Sequence, residues 1–145
     1  MVEPYLFFNG NCAEAIDFYE KAFGGTDKKV MRFKDAPPMP GQNLPEVFED
    51  YIMHGEMTIA DTRFSFSDNI ELVTHIHKDA AGHKVAMGSM VALIVRCDDP
   101  EDVLRYFESL KSSGTIHQEP GPQFFSRMYG FVTDKFGVSW QLICE

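Results

Sequence analysis

Apolar and polar residues alternate with a period of two near the end of the chain, in "TDKFGVSWQLICE". Read as a strand, this stretch puts Val138, Trp140, Leu142 and Cys144 on one face and Ser139, Gln141 and Ile143 on the other. The first face is core. The second carries an amide where a strand buried on both sides would hold Val or Ile, so Gln141 is expected to look into solvent, a partner or a cavity.

The same kind of pattern predicts the other elements. "YLFF", from Tyr5 to Phe8, is a short apolar strand stopped by "NGN". A helix follows: Asn11 and Glu14 have capping spacing, Cys12, Ala15, Ile16, Tyr19 and Phe23 recur at helical intervals, and Gly24-Gly25 ends it. "TDKKVMRFK" reads as a strand, "DAPPMPGQNLP" as a Pro-rich loop, and "EVFEDYIMH" and "EMTIADT" as two strands joined at His54-Gly55. Residues 63–88 mix turn formers with short apolar pieces and are expected to form a connector.

Beyond the connector, "SMVALIVRC" is a nearly continuous apolar strand. "DDPEDVLRYFESLKSSG" is a second helix, capped by Asp98 or Asp99, with Pro100 in its first turn, a buried stripe of Val103, Leu104, Phe107 and Leu110, and Gly114 at its end. Strands at "TIHQE", "RMYGFVT" and "VSWQLIC" complete the chain. The order strand, helix, three strands thus occurs twice, offset by roughly 85 to 90 residues, a repeat of architecture with little residue identity.

Composition narrows the possibilities. A chain of 145 residues with 44% apolar content and 13 Phe is expected to form one domain with a real core. Lys and Arg number 13 against 22 Asp and Glu, a formal charge of -9, which opposes binding to nucleic acid. No charged-then-apolar leader and no apolar run of about 18 residues is present, so a cytoplasmic protein without a membrane partner is expected. Cys12, Cys97 and Cys144 have no metal-like spacing and read as free thiols in a reducing compartment.

Three stretches carry a family resemblance: "YLFFNGNCAEAIDFYEKAFGG", "MRFKDAPPMPG" and "YGFVTDKFGVSWQL", in that order around the doubled unit. The chain resembles the PhnB-like branch of the vicinal oxygen chelate superfamily, also called the glyoxalase/bleomycin-resistance/dioxygenase superfamily. The resemblance implies an α+β fold of two βαβββ modules that form an open, U-shaped mixed-sheet cleft, usually in a homodimer. Module 1 would span about residues 3–62, the connector about 63–88 and module 2 about 89–145, together one domain over 1–145.

Metal-dependent members of that family place ligands on the first and fourth strands of each module. Carried over, these positions fall at Pro4 or Tyr5, near Ala60, at Met90 and at Gln141. Gln141 stands where such relatives usually have Glu. Pro4, Ala60 and Met90 cannot supply the His and carboxylate atoms that hold a divalent cation, so no metal and no cofactor is expected.

Other candidates read more simply. His75 and His77, with His83 nearby, have a His-x-His spacing but lack a following Glu, and a solvated loop accounts for them. His54 and His117 read as strand-end or rim residues. Asp61 could act as a base only if its strand twisted, because the alternation that points Ala60 inward points Asp61 away. Arg127 could neutralise an acidic ligand or form a rim salt bridge. Arg96 beside Cys97 in sequence does not by itself activate the thiol. "FGGTDK" follows a helix and precedes a strand, so it offers no adenosylmethionine-binding loop.

The resulting expectation is a metal-free homodimer that binds a small, partly apolar molecule. Its ligand-binding residues would be Tyr5, Phe7, Thr58, Ala60, Met90, Ala92 and Gln141, with Phe124, Phe125 and Arg127 near the mouth. Gln141 would orient the ligand, or else bond a neighbouring backbone with Phe and Met filling the cleft. Two alternatives stand beside it: an enzyme of the superfamily with a metal site rebuilt on Gln141, His54 or the His75/His77 pair, and a non-enzymatic interaction module.

Overall fold

A computed structural model describes residues 1–37, 46–68 and 88–145. The chain divides into two compact units, residues 1–20 with 24–86, and residues 21–23 with 87–145. Each carries a four-stranded mixed sheet. Among the described residues no helix is long and apolar enough to cross a membrane.

In the first unit the order along the chain is β1 (Tyr5–Phe8), α1 (Cys12–Phe23), β2 (Thr26–Arg32), β3 (Ile52–Ile59) and β4 (Thr62–Asp68). The last turn of α1 belongs to the second unit. The sheet order is β1-β4-β3-β2, with β1 and β4 parallel and the remaining pairs antiparallel. The apolar stripe expected on α1 is buried, with Cys12, Ala15, Ile16, Tyr19 and Phe23 all inside. Gly24 ends the helix in the left-handed conformation, its N–H bonding Glu20 O, as the Gly-Gly stop implied.

The start of α1 differs from the expectation. Asn11 makes no side-chain cap. Asp68, at the far end of β4, replaces it: Oδ1 accepts from Gly10 N at 2.7 Å and Cys12 N at 3.1 Å, and Oδ2 accepts from Ile52 N at 2.8 Å. One buried carboxylate therefore satisfies helix α1 and the start of β3 together. Burial pushes its pKa up, and the three N–H donors pull it back.

The chain between Glu46 and Asp68 also differs. Glu46–Phe48 is a short 3-10 turn, so no strand starts at Glu46. β3 runs straight through His54-Gly55, and the hairpin turn lies at Ala60-Asp61, whose φ angles are +46° and +64°. Positive φ at both loop positions is the type I′ geometry that matches strand twist. Gly55 is a packing residue: a Cβ there would lie 2.8 Å from Ile16 Cδ1 of α1. Arg63 to Asp68, expected in the connector, belong to the fourth strand, Thr62–Asp68.

The second unit repeats the plan with β5 (Leu93–Arg96), α2 (Pro100–Leu110), β6 (Thr115–Gln123), β7 (Ser126–Thr133) and β8 (Ser139–Cys144), in sheet order β5-β8-β7-β6. Asp99 is the cap of α2, accepting from Glu101 N at 2.9 Å. Val103, Phe107 and Leu110 are buried, while Leu104 stays 38% exposed, so the stripe is narrower than expected. Trp140, Leu142 and Cys144 are fully buried, as the alternation implied. Asp134 organises the β7–β8 turn: it accepts from Phe136 N at 2.9 Å, Val138 N at 3.1 Å and Trp140 Nε1 at 2.9 Å. β6 is an edge strand of nine residues that includes Pro120 and Pro122.

Candidate functional site

Within each unit the sheet has one face against its helix and an opposite, open face that no described helix of that unit covers. In the first unit Ile16 and Tyr19 of α1 meet Gly55 and Phe66, which fixes the covered side. Strand alternation then puts Tyr5 and Phe7 of β1, His54, Glu56 and Thr58 of β3, and Arg63 and Ser65 of β4 on the open side.

These residues form a connected row. Tyr5 and Phe7 stack with ring centroids 4.6 Å apart and remain 42% and 50% exposed. The Tyr5 hydroxyl lies 3.3 Å from His54 Nδ1, His54 Nε2 lies 3.1 Å from Glu56 Oε1, and Arg63 Nη2 bonds the same carboxylate oxygen. Glu56 has no proton to give when ionised, so Nε2–H donates to it, and in the neutral ring Nδ1 then accepts from Tyr5. The bond from His54, followed by that from Arg63, holds the Glu56 carboxyl below its ordinary range.

The open face of the second sheet carries Gln141 and Ile143 of β8, Tyr129, Phe131 and Thr133 of β7, and Ile94 and Arg96 of β5. Among the described residues the Gln141 side chain bonds no backbone group. Its Oε1 accepts from the Tyr129 hydroxyl at 2.8 Å, and its NH2 has no partner among the described residues. Burial raises the Tyr129 pKa, which keeps that phenol a donor. Phe125 packs edge-on to Tyr129 at 5.2 Å. Farther along, His117 Nε2, Thr133 Oγ1 and Ser139 Oγ form a second chain with steps of 2.7 and 2.8 Å.

Of the residues expected to meet a ligand, Tyr5, Phe7 and Thr58 share the first open face, and Gln141 and Phe125 belong to the second unit. Ala60 sits in the hairpin turn instead of on a strand, together with Asp61, because the turn lies there and not at His54-Gly55. Met90 and Ala92 precede β5, whose open-face positions are Ile94 and Arg96; Met90 is 97% exposed. Arg127 neutralises no acid among the described residues. Its Nε bonds Glu145 O at 2.6 Å, and its Nη2 bonds Asp98 O at 3.1 Å and Cys144 Sγ at 3.0 Å, so it ties down the chain end. Phe124 is fully exposed at the β6–β7 turn. His75, His77 and His83 lie outside the described residues.

Glu56, Arg63 and Tyr129 were not singled out from the sequence. The alternation of His54, Glu56 and Thr58 was the available signal, and it was hidden by reading Gly55 as a turn.

The first- and fourth-strand positions carry Tyr5, Phe7 and Ser65 in the first unit and Ile94, Arg96 and Gln141 in the second. Neither set has an imidazole or carboxylate, so neither fits a divalent cation. Among the described residues no group of three or more His, Cys, Asp or Glu comes together either. Burial pushes the Cys97 thiol up to about 11, with further contributions from Asp102 and Cys144, and burial likewise raises Cys12.

Comparison with known proteins agrees with this architecture. The family model described as the Glyoxalase/Bleomycin resistance protein/Dioxygenase superfamily matches residues 2–142. Protein YjdN of Escherichia coli K12 is 29% identical over 147 aligned residues, covering 97% of this chain and 92% of that protein. The crystal structure of PA1353 from Pseudomonas aeruginosa superposes with a TM-score of 0.78 at 29% identity, covering 100% of this chain and 97% of that one. A Bacillus cereus structure described as a putative 3-demethylubiquinone-9 3-methyltransferase, PhnB protein, gives 0.71 at 24% identity, covering 99% and 98%. With two strand-helix-three-strand modules, matched over nearly its whole length, the chain belongs to the glyoxalase/bleomycin resistance/dioxygenase superfamily.

Proposed function

We propose that this protein binds a small, partly apolar organic molecule on the open face of its first sheet, without a resident divalent cation. One observation carries the reading: an exposed, already stacked aromatic pair, Tyr5 and Phe7, stands beside the hydrogen-bonded row Tyr5–His54–Glu56–Arg63. The rings offer a flat apolar surface whose order is set before binding, which lowers the entropic cost of association. The polar row and the Thr58 hydroxyl supply directional partners. The protein acts as a homodimer off nucleic acid and membranes in this reading.

The test is a fragment screen followed by amide NMR shifts, beside elemental mass spectrometry of untagged protein. Aromatic fragments are expected to shift β1 and β3, and Phe7→Ala to weaken them roughly tenfold, about 1.4 kcal/mol. Shifts confined to other strands, or about one retained divalent ion per chain, would overturn the proposal. Light scattering checks the dimer.

A second reading rests on the Tyr5–His54–Glu56 alignment, which has the order of a proton relay. It requires His54→Gln to abolish turnover of a bound molecule while leaving its affinity within about threefold.

A further inference from the structure

Cys97 and Cys144 sit at the ends of neighbouring parallel strands. β5 and β8 pair as Val95↔Leu142 and Arg96↔Ile143. The Cys97 N–H bonds Ile143 O at 2.8 Å, which carries the ladder one rung further and sets Cys97 opposite Cys144. Each cysteine follows the buried pair Val95 and Leu142 by two residues, so both occupy the helix-covered face. Neighbouring strands run about 4.8 Å apart, inside the Cα separation of roughly 4.4 to 6.8 Å that a disulfide spans.

The two sulfurs differ in access. Cys97 is half-buried and Cys144 fully buried. Arg127 Nη2 donates to Cys144 Sγ at 3.0 Å. Nothing in the proposed binding face uses either residue.

We propose that Cys97 and Cys144 are a redox modification site that closes to an intrachain disulfide under peroxide. The minor thiolate fraction of Cys97, whose pKa burial pushes up to about 11, attacks the O–O bond of hydrogen peroxide, forming sulfenic acid and releasing hydroxide, so the step is slow. The Cys144 thiolate then attacks that sulfur: the S–S bond forms, the S–O bond breaks, and a second hydroxide leaves. With the two thiol protons, the sum is two thiols oxidised to one disulfide and one peroxide reduced to two waters. The bridge fastens the end of β8 to the segment that leads into α2. A link across adjacent paired strands is geometrically tight, which places it among the readily reduced disulfides.

The experiment treats the native protein with hydrogen peroxide, quenches it in acid, unfolds it and alkylates the remaining thiols for intact-mass and peptide analysis. Of the three free cysteines, two are expected to become unavailable, with Cys97 linked to Cys144, Cys12 alkylated, and all three recovered after dithiothreitol. Cys144→Ser is expected to accumulate a dimedone-trappable sulfenic acid at Cys97, whereas Cys97→Ser leaves Cys144 unmodified. The proposal is overturned if all three thiols survive a dose that oxidises glutathione in the same tube. It is equally overturned if the bridge involves Cys12 or a second chain, or if Cys97 proceeds to sulfinic acid without a bridge. Mapping of the unsubstituted protein decides the matter even if a variant misfolds.

Discussion

Replacing Asp134 with Asn changes one atom and removes one acceptor. The carboxylate takes Phe136 N and Val138 N on Oδ1 and Trp140 Nε1 on Oδ2. The amide oxygen can keep the two backbone donors, but its NH2 then faces the indole N–H. Trp140 is fully buried, so that N–H has no water to turn to, and an unsatisfied buried donor costs about 1–3 kcal/mol. Loss of the charge weakens the two remaining bonds by about 1 kcal/mol together. The opposite amide orientation orphans two backbone donors and is worse. The expected destabilisation is therefore about 2–4 kcal/mol. At about 2.1 cal/mol/K of unfolding entropy per residue, a 3 kcal/mol loss in a chain of this size lowers Tm by about 10 °C. Trp140 is the single tryptophan, so its fluorescence follows urea unfolding directly. Repeating Asp134→Asn in a Trp140→Phe background, read by circular dichroism, should reduce the cost by at least about 1 kcal/mol, because the orphaned donor is gone. A loss under about 0.5 kcal/mol, or an equal loss in both backgrounds, would refute the argument.

Gly55→Ala drives a Cβ to 2.8 Å from Ile16 Cδ1 and is expected to cost about 1–3 kcal/mol by urea melts, with Ile16→Val restoring part of it. Ala60→Gly relieves a left-handed alanine at φ +46° and should add about 0.5–1 kcal/mol, less than the strain itself because glycine also loosens the unfolded chain. Carboxyl-carbon NMR should place Glu56 below the ordinary glutamate range, with His54→Ala raising it more than Arg63→Ala does. Because its folded pKa is depressed, the contribution of Glu56 to stability is present above its unfolded value and lost as pH falls through the folded one; Glu56→Gln removes that acid-side dependence.

The amphipathic helices were readable because their stripes and stops are local: Ile16, Tyr19 and Gly24 speak for α1, and Val103, Phe107 and Asp99 for α2. The alternation around Trp140 was equally plain. What could not be read depends on residues far apart in sequence. Gly55 looks like a turn until Ile16 lies across it. Ala60-Asp61 carries no glycine, so the hairpin gave no signal. Asn11 resembles a cap, yet Asp68 supplies the acceptor from 56 positions away. For the same reason the strand faces were legible only in part: alternation set Gln141 apart and the family resemblance pointed to Tyr5, Phe7 and Thr58, whereas Glu56 and Arg63 become neighbours only once β3 and β4 pair.

The outer border of the second sheet has a consequence for association between copies. β6 is its edge, and Pro120 and Pro122 contribute no N–H to any ladder. Proline is tolerated on such a strand because the missing donor faces water. A strand arriving from another molecule meets gaps where it needs partners, and the sheet cannot be extended there by repetition. The corresponding border of the first sheet, β2, carries Lys29 and Lys28, the latter ion-paired with Glu20 at 3.0 Å, and charged side chains on an edge disfavour pairing with a second copy. Crowding and slow refolding thus find no template for fibrous growth along either long rim.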